Sequence, residues 1–174
     1  MSLAEALARL RAGQPQAAAE LLKQQLELQP TDARSWFLLG VCQHTLNDLP
    51  TAARTFARSL ALDPSNPEAN LAHVSVLRAM ADAQGALAAS KAALARTPND
   101  PRFLYALALS HEDLGRTDDA LAHYDAVLQI APHHEDALHN RGLLLARLGR
   151  HDEAETSERM PAGSPMIALS TCEP

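Results

Sequence analysis

Apolar residues recur along most of the chain at three- and four-residue intervals, the spacing that places them on one face of a helix. Leu3, Leu7 and Leu10 open this pattern, and the turn Gly13-Gln14-Pro15 is the first to interrupt it. The pattern predicts helices near residues 2–12, 16–28, 33–46, 49–62, 67–80, 83–96, 101–114, 117–130 and 135–148. Hydrophobic residues make up 47% of the chain and aromatic residues 3%, so Leu and Ala, which are strong helix formers, must supply the core. We therefore predict an all-α fold.

Proline marks a second, longer period. Four prolines that follow predicted helices stand 34 residues apart, at Pro30, Pro64, Pro98 and Pro132. Self-similarity at this interval is the signature of a stacked array of helix hairpins, in which each unit buries its apolar face against its neighbours. The chain is therefore expected to be a repeat protein with two helices in each unit.

Residues 33–66 form the unit in which the repeat is clearest. Its repeated positions hold Trp36, Leu39, Gly40, Ala52, Phe56 and Pro64. This arrangement resembles the tetratricopeptide repeat family, whose pattern is W-x2-L-G-x2-Y, then A-x3-F, then P. Gln43 replaces the usual aromatic residue. The resemblance covers about residues 1–158 and implies a right-handed α-solenoid of antiparallel helix hairpins.

The 34-residue period divides the chain into an array and a tail. The array spans residues 1–159, with units at about 1–32, 33–66, 67–100, 101–134 and a truncated 135–159. The register fails near its end, because Glu158 stands at an aromatic position and Pro161 would cost about 3 kcal/mol inside a helix. We expect residues 160–174 to be a flexible C-terminal tail with one apolar cluster, Met166-Ile167-Ala168-Leu169.

Residue size predicts differences between the units. In the second unit the small residues Gly40 and Ala52 are expected to face each other across the hairpin. In the third unit Val74 stands where Gly is usual and Ser90 where an aromatic residue is usual. Gly85 falls inside a predicted helix, where it costs about 1 kcal/mol relative to Ala. We expect the third unit to have the lowest local stability.

Helix ends are predicted most clearly in the fourth unit. Gly115 ends the first helix, and Thr117 is expected to supply a capping hydroxyl to the second. Asp118 and Asp119 then form an acidic first turn, where negative charge favours the positive end of the helix dipole. We interpret these paired acids as helix-start charges and not as catalytic groups.

Charge and cysteine content narrow the possible partners. The net charge of -6 and the lack of a basic run argue against a nucleic-acid partner. No signal sequence is evident and no apolar stretch approaches the roughly 20 residues of a membrane span, so we predict a cytoplasmic protein without a membrane partner. Cys42 and Cys172 show no disulfide or metal spacing and are expected to be free thiols. The excess of Arg over Lys, 13 to 2, suggests a GC-rich bacterial gene.

One cluster of candidate metal ligands occurs, at His133, His134 and His139 beside Glu135 and Asp136. His134 and His139 are five residues apart, which does not place them on one helix face. We interpret the first two as loop residues and His139 as a surface residue. The chain has no Gly-rich phosphate loop, G-x-S-x-G or H-E-x-x-H motif. We predict no metal, no cofactor and no enzymatic activity.

The resemblance also implies where a partner binds. In the family the first helix of each unit lines the concave surface, and the same register gives a candidate groove in this chain. Its residues are Arg34, Phe37, Val41, His44, Leu71, Ser75, Arg78, Arg102, Tyr105, Leu109, Glu112, His139, Leu143 and Arg147. Apolar surface residues without a place in the core suggest a partner site. The alternative is that Phe37 and Leu109 pack against a neighbouring helix.

The groove combines an apolar middle with arginines at intervals. This favours a protein or peptide partner with apolar anchors and an acidic group that Arg binds in bidentate fashion. Members of the family that bind chaperone tails hold a terminal carboxylate with Lys and Asn side chains. Those residue types are absent from the matching groove positions, so such a clamp is not expected.

Two functions fit these observations. The first is a non-catalytic adaptor that binds a peptide segment of a partner in the concave groove. The second is the N-terminal recognition part of a longer, truncated enzyme, such as a glycosyltransferase or sulfotransferase, which the loss of register after Glu158 suggests. A third, smaller hypothesis is self-association through the C-terminal end, with residues 166–169 against the last unit or a neighbouring chain.

Overall fold

The structure, a computed structural model, describes residues 3–154. All regular secondary structure in this part of the chain is helical, and a further helix begins at residue 151. The helices are α1 (Leu3–Arg11), α2 (Pro15–Leu28), α3 (Ala33–Thr45), α4 (Leu49–Leu62), α5 (Pro67–Ala79), α6 (Ala83–Arg96), α7 (Pro101–Asp113), α8 (Thr117–Ile130) and α9 (Glu135–Arg147). Each predicted helix is confirmed to within one residue at either end.

Helices adjacent in sequence pack against each other from α1 through to α9, which gives the predicted α-solenoid of antiparallel hairpins. Buried Leu and Ala residues dominate the core, as their share of the composition predicts. Cys42 is fully buried there, and burial raises the pKa of its thiol to about 11. The predicted tail with its apolar cluster, the register break at Glu158 and Pro161, and Cys172 lie outside the described residues.

Acidic and amide side chains begin most of the helices. The residues that cap α3 to α7 each accept a hydrogen bond from a backbone N–H of the first turn, and they are Asp32, Asp48, Asn66, Asp82 and Asp100. Gly85 is the residue whose N–H bonds to Asp82, at 2.9 Å, so it lies in the first turn of α6. The predicted Thr117 cap is wrong, because Arg116 occupies the cap position of α8 and makes no side-chain capping bond. Asp118 and Asp119 do lie in the first turn.

Each hairpin turns through one residue with positive φ, two positions after the last residue of its first helix. Glycine occupies this position in three hairpins, at Gly13, Gly115 and Gly149, with φ between 68° and 73°. In the other two it is Asn47, with φ 60°, and Ala81, with φ 58°. A Cβ in this left-handed region approaches the following carbonyl oxygen, which costs about 1–2 kcal/mol. Ala81 therefore stores backbone strain in the third hairpin.

Ala81→Gly is expected to raise the free energy of unfolding by about 0.5–1 kcal/mol, since the strain it removes exceeds the extra chain entropy of glycine. Gly115→Ala, at the same position of the next hairpin, is the matched control and should lower that free energy by a similar amount. Urea unfolding followed by circular dichroism measures both. A less stable Ala81→Gly variant would contradict the strain assigned to this turn.

One pair of repeat positions holds residues of different size in the second and third hairpins. A Cβ added to Gly40 would lie 2.6 Å from Cε1 of Phe56, so the nearest group to Gly40 is this ring. That Gly40 and Ala52 face each other stays a prediction. In the third hairpin the equivalent residues are Val74 and Ser90, both buried. Val74 is larger than Gly40, and Ser90 is smaller than Phe56, so the gain in size at one position accompanies a loss at the other. The low stability predicted for this unit stays a prediction.

Candidate functional site

The first helices of successive hairpins form one continuous surface. α1 packs against α3, α3 against α5 and α5 against α7, whereas α2, α4, α6 and α8 make no comparable contacts with one another within residues 3–154. Helices that approach more closely lie on the shorter side of a curved array, so α1, α3, α5, α7 and α9 line its concave side. We call this surface the inner face, and the surface of α2, α4, α6 and α8 the outer face. The candidate groove residues all belong to inner-face helices.

Apolar side chains form the middle of the inner face. Phe37 packs against two core clusters, and its ring centroid lies 6.0 Å from that of Phe56. Tyr105 and Leu109 pack against the core of the fourth and fifth hairpins. All three keep part of their surface towards solvent, so they combine a packing role with exposure. Leu143 is 51% exposed. The remaining apolar members, both half-buried, are Val41 and Leu71.

Ion pairs join the C-terminal ends of neighbouring inner helices. The Arg78 guanidinium of α5 donates two hydrogen bonds to the Asp113 carboxylate of α7, from Nε to Oδ2 at 2.5 Å and from Nη2 to Oδ1 at 3.1 Å. These hydrogen bonds raise the pKa of Arg78. The Arg147 guanidinium of α9 bonds in turn to the Glu112 carboxylate of α7. Both pairs therefore connect successive units.

Glu112 is held by groups from two directions. Its Oε2 accepts a hydrogen bond of 2.9 Å from the hydroxyl of Tyr124 on α8, while its Oε1 is bonded to Arg147. Tyr124 is fully buried, and burial raises the pKa of its hydroxyl, as does the hydrogen bond to Glu112. The hydroxyl therefore stays protonated and donates. The Glu112 carboxylate is thus fixed in place at the edge of the groove.

A second polar cluster surrounds Tyr105. Asn140 donates a hydrogen bond of 2.8 Å from Nδ2 to the Tyr105 hydroxyl. The His134 ring lies 4.9 Å from the Tyr105 ring, and its Nδ1 accepts a hydrogen bond of 3.3 Å from the backbone N–H of Ala137, which caps α9. Burial raises the pKa of Tyr105. Tyr105 thus presents an ordered hydroxyl beside the apolar middle of the groove.

The arginines of the groove are less available than the sequence suggests. Arg102 donates from Nε and Nη2 to Asp100, the capping residue of its own helix, at 3.1 and 2.8 Å, which lowers the pKa of that carboxyl. Arg78 is paired with Asp113, so both arginines expected to bind an acidic partner already hold a carboxylate. Arg34 is exposed, and within the described part of the chain its side chain has no acidic partner. The structure gives no support at Arg78 and Arg102 to bidentate recognition of a partner's acid.

Three candidate groove residues are exposed to solvent, and they are His44, Ser75 and His139.

Four residues that organise the site were missed by the sequence prediction, and they are Asp113, Tyr124, His134 and Asn140. One signal could have found part of this set. Arg78 and Asp113 carry opposite charges 35 residues apart, as do Glu112 and Arg147, an interval close to the repeat period.

A histidine pair lies between α7 and α8. His111 is 4% exposed, its Nδ1 makes no hydrogen bond, and Oδ2 of Asp119 lies 3.4 Å away. Its ring stacks on that of His123 at a centroid distance of 5.1 Å. Burial lowers the pKa of His111. The nearby side chains of His123, Lys91 and Arg116 lower this pKa further, whereas the Asp119 carboxylate raises it. The described residues contain no group of three side chains that could hold a metal ion.

The free energy of unfolding is expected to fall as the pH drops from 7.5 to about 5. The folded-state pKa of His111 lies below its ordinary value of 6.5. The unfolded chain therefore takes up the proton first, and stability present above pH 6.5 is lost as the pH falls below it. Burial also lowers the pKa of His73, so this residue contributes to the loss of stability in the same direction.

Urea unfolding at pH 7.5 and pH 5.0 measures this loss, and His111→Leu is the matched variant. Leucine occupies the same repeat position in the third and fifth units, at Leu77 and Leu145. The variant should lose less stability between the two pH values than the unmodified chain. Equal losses would show that His111 does not contribute.

Stacked helix hairpins with an exposed concave face define the class of helical-repeat scaffolds, which present an extended surface for binding. The chain belongs to the tetratricopeptide repeat family. Its residues 8–138 match the model of the cytochrome c-type biogenesis protein H TPR domain, and residues 136–157 match a tetratricopeptide repeat model. Membership in this family supports the interpretation of the chain as a protein-interaction module. No helix among residues 3–154 is long and apolar enough to cross a membrane.

Two relatives share this array. Cytochrome c-type biogenesis protein CycH of Bradyrhizobium diazoefficiens is 31% identical over 117 residues, which cover 64% of this chain and 31% of that protein. Cellulose synthase 2 operon protein C of Komagataeibacter xylinus is 32% identical over 168 residues, which cover 92% of this chain and 12% of that protein. The chain thus spans less than a third of the length of either relative.

Solved structures share the fold. MamA 41-end from Desulfovibrio magneticus RS-1 superposes with a TM-score of 0.80 at 22% identity, covering 88% of this chain and 86% of that one. YrrB, described as a TPR protein with an unusual peptide-binding site, superposes with a TM-score of 0.73 at 21% identity, covering 87% and 78%. Identities this low establish the architecture and nothing about a shared partner.

Proposed function

We propose that this chain is a non-catalytic interaction module whose inner face binds a segment of a partner protein. The observation that carries the proposal is the juxtaposition of half-buried apolar residues with a polar rim whose groups are already fixed by hydrogen bonds. Phe37, Tyr105 and Leu109 offer apolar surface, while Glu112 is held by Tyr124 and Arg147. A site that is ordered before binding loses little side-chain entropy when a partner arrives.

The chemistry of the partner follows from the same contacts. Apolar anchors suit the middle of the inner face, and the Tyr105 hydroxyl and the Asn140 amide suit a polar or backbone group. Because Arg78 and Arg102 already bind carboxylates, an acidic group is not a requirement at these positions. Arg34, at the α3 end, is the groove position that suits an acidic residue of the partner.

The process served by this module is proposed from the relatives. The family model that covers residues 8–138 is that of a c-type cytochrome biogenesis protein, and CycH carries the same description. The cellulose synthase operon protein is equally similar, at 32% identity, so the likeness reflects the array itself. We propose c-type cytochrome biogenesis as the process, because the matching family model and one of the two relatives carry that name. The cytoplasmic location stays a prediction.

A blocked groove tests the proposal. Ser75 is exposed near the middle of α5 on the inner face, so Ser75→Trp places a bulky ring where a partner segment would lie. Gln24→Trp makes the same change at an exposed position of α2 on the outer face and is the matched control. Each chain is used to capture proteins from a lysate of the source cell, which are then identified by mass spectrometry, after circular dichroism has shown equal helix content.

The expected result is that the unmodified chain and Gln24→Trp capture proteins of c-type cytochrome biogenesis and that Ser75→Trp does not. Capture of the same proteins by Ser75→Trp would contradict binding by the inner face. If the proteins that Ser75→Trp fails to capture belong to another process, the assignment to cytochrome biogenesis is wrong and the inner-face site stands.

A second function is that the array is the recognition part of a longer protein, the role predicted beside a glycosyltransferase or sulfotransferase. The observation that favours a longer protein is the length of the relatives, of which this chain spans 31% and 12%. The names of these relatives describe neither a glycosyltransferase nor a sulfotransferase. The reading frame of the gene on both sides of this sequence distinguishes the two functions.

A further inference from the structure

Charge is divided unevenly along the chain. Residues 1–100 contain nine Lys or Arg and nine Asp or Glu, whereas residues 101–174 contain six and twelve. The whole net charge of -6 therefore belongs to the second part. A chain with this division carries regions that attract each other when they belong to different molecules.

The outer face of the second and third hairpins is basic. α4 and α6 contain no Asp or Glu, and their four cations, all exposed, are Arg54, Arg58, Lys91 and Arg96. The other exposed residues of these two helices are mainly alanines, which leave the cations accessible. We call this surface the basic outer face. It is separate from the inner face used in the proposed function.

Within residues 3–154 these cations have no acidic partner, although several other cations of the chain do. Arg54 donates to the Thr51 hydroxyl at 3.2 Å, and Arg96 to the backbone carbonyl of Ala92 at 2.7 Å. By contrast, Lys23 bonds to Glu20 at 2.8 Å. On the inner face, Arg78, Arg102 and Arg147 are paired in the same way. In α4 and α6, by contrast, all four cations lack an acidic partner in the described part of the chain, so the positive charge of this surface is not compensated.

The outer face of the fourth hairpin has the opposite character. α8 contains Asp118, Asp119 and Asp125 and no Lys or Arg. Asp118 is exposed, and Asp119 keeps 59% of its side chain exposed beside His111. Asp125 keeps 45% exposed, and its Oδ1 accepts a hydrogen bond of 2.6 Å from Nε of Arg141, so Asp118 and Asp119 supply most of the free negative charge. α4, α6 and α8 each have 14 residues, so the acidic helix matches the basic helices in length.

We infer that the basic outer face of one molecule docks on the acidic α8 of a second copy. The contact joins two different patches of the outer face, so two copies related by a two-fold axis form it twice, and copies related by any other rotation assemble head-to-tail. The chain supplies its own complementary charge, whereas its net charge of -6 repels polyanions such as nucleic acid. Association through exposed charges is weak and falls as salt screens them, with a Debye length of about 8 Å near 0.15 M.

Sedimentation velocity of the 174-residue chain at 20 mM and 300 mM NaCl tests the inference. Species larger than a monomer are expected at low salt and not at high salt. Arg54→Glu/Arg58→Glu reverses the charge of the α4 half of the basic outer face, and Asp118→Asn/Asp119→Asn neutralises two of the three acids of α8, so each variant should associate at least about tenfold more weakly by itself. Mixed, the two variants keep one intact patch each and should form a 1:1 pair that grows no further.

Other results overturn the inference. A chain that is monomeric at both salt concentrations contradicts the inference. Assembly that persists in the Arg54→Glu/Arg58→Glu variant contradicts it as well. Lys91→Glu/Arg96→Glu repeats the test on α6 alone, in case the first pair of changes unfolds α4. Binding of the chain to poly-glutamate without self-association would assign the basic outer face to a different acidic partner. Ser75→Trp should leave the assembly unchanged, which separates this contact from the inner-face site.

Discussion

Gly40→Ala is expected to lower the free energy of unfolding by about 1–3 kcal/mol, because the added methyl group overpacks the second hairpin. Its Cβ would lie 2.6 Å from Cε1 and 2.7 Å from Cδ1 of Phe56. That ring is fully buried and cannot move aside without disturbing its neighbours. Gly142, one hundred and two residues on at the same repeat position, has nothing within 4 Å of an added Cβ. Gly142→Ala should therefore raise the free energy of unfolding by about 0.5–1 kcal/mol, the gain in helix propensity.

Urea unfolding of both variants and the unmodified chain measures this contrast. Combining Gly40→Ala with Phe56→Leu adds a second test, because a smaller side chain makes room for the methyl group. The loss in the double variant should be less than the sum of the two single losses, which is the sign of a direct contact. Equal effects of Ala at Gly40 and Gly142 would contradict the packing described for the second hairpin.

Tyr124→Ala is expected to lower the free energy of unfolding by about 3–5 kcal/mol, the usual cost of deleting a buried ring. Tyr124→Phe keeps the ring and removes the hydrogen bond to Glu112, so its cost should be about 1–3 kcal/mol, as for a bond to a charged group. The difference between the variants separates the packing of the ring from the bond that orders the inner face.

The same variants connect stability with binding. Thermal and urea unfolding give the free energies, and partner capture compares Tyr124→Phe with Tyr105→Phe, which removes the hydroxyl bonded to Asn140. If the polar rim contributes to recognition, both should weaken capture while the chain stays folded. Full capture by both would limit recognition to the apolar middle of the inner face.

Sequence periodicity predicted the fold because one physical requirement repeats along the chain. Each hairpin must bury an apolar stripe, so Leu, Ala and Pro return at a 34-residue interval, and helix bounds follow from it. The turn glycine at Gly115 follows from the same logic, since the turn needs a positive φ. The equivalent turn at Ala81 gives no such signal, because alanine does not by itself indicate a left-handed conformation.

The site was predicted less well because its geometry depends on contacts between units. Register places the groove residues on the inner-face helices, but it cannot show that Arg78 and Arg102 are bonded to acids. Asn140 was missed because its role depends on the position of Tyr105, 35 residues away. Size compensation between Val74 and Ser90 was read as two separate defects, although the structure buries both.

The bonds from Arg78 to Asp113 and from Arg147 to Glu112 have a mechanical consequence. They bridge α5 to α7 and α7 to α9, and the described residues show no ion pair between α1 and α3 or between α3 and α5. The two ends of the solenoid therefore differ in stiffness, because the bridged end resists a change of curvature that the other end permits. We therefore expect a partner segment on the inner face to meet a more firmly connected surface from α5 to α9 than at α1 and α3.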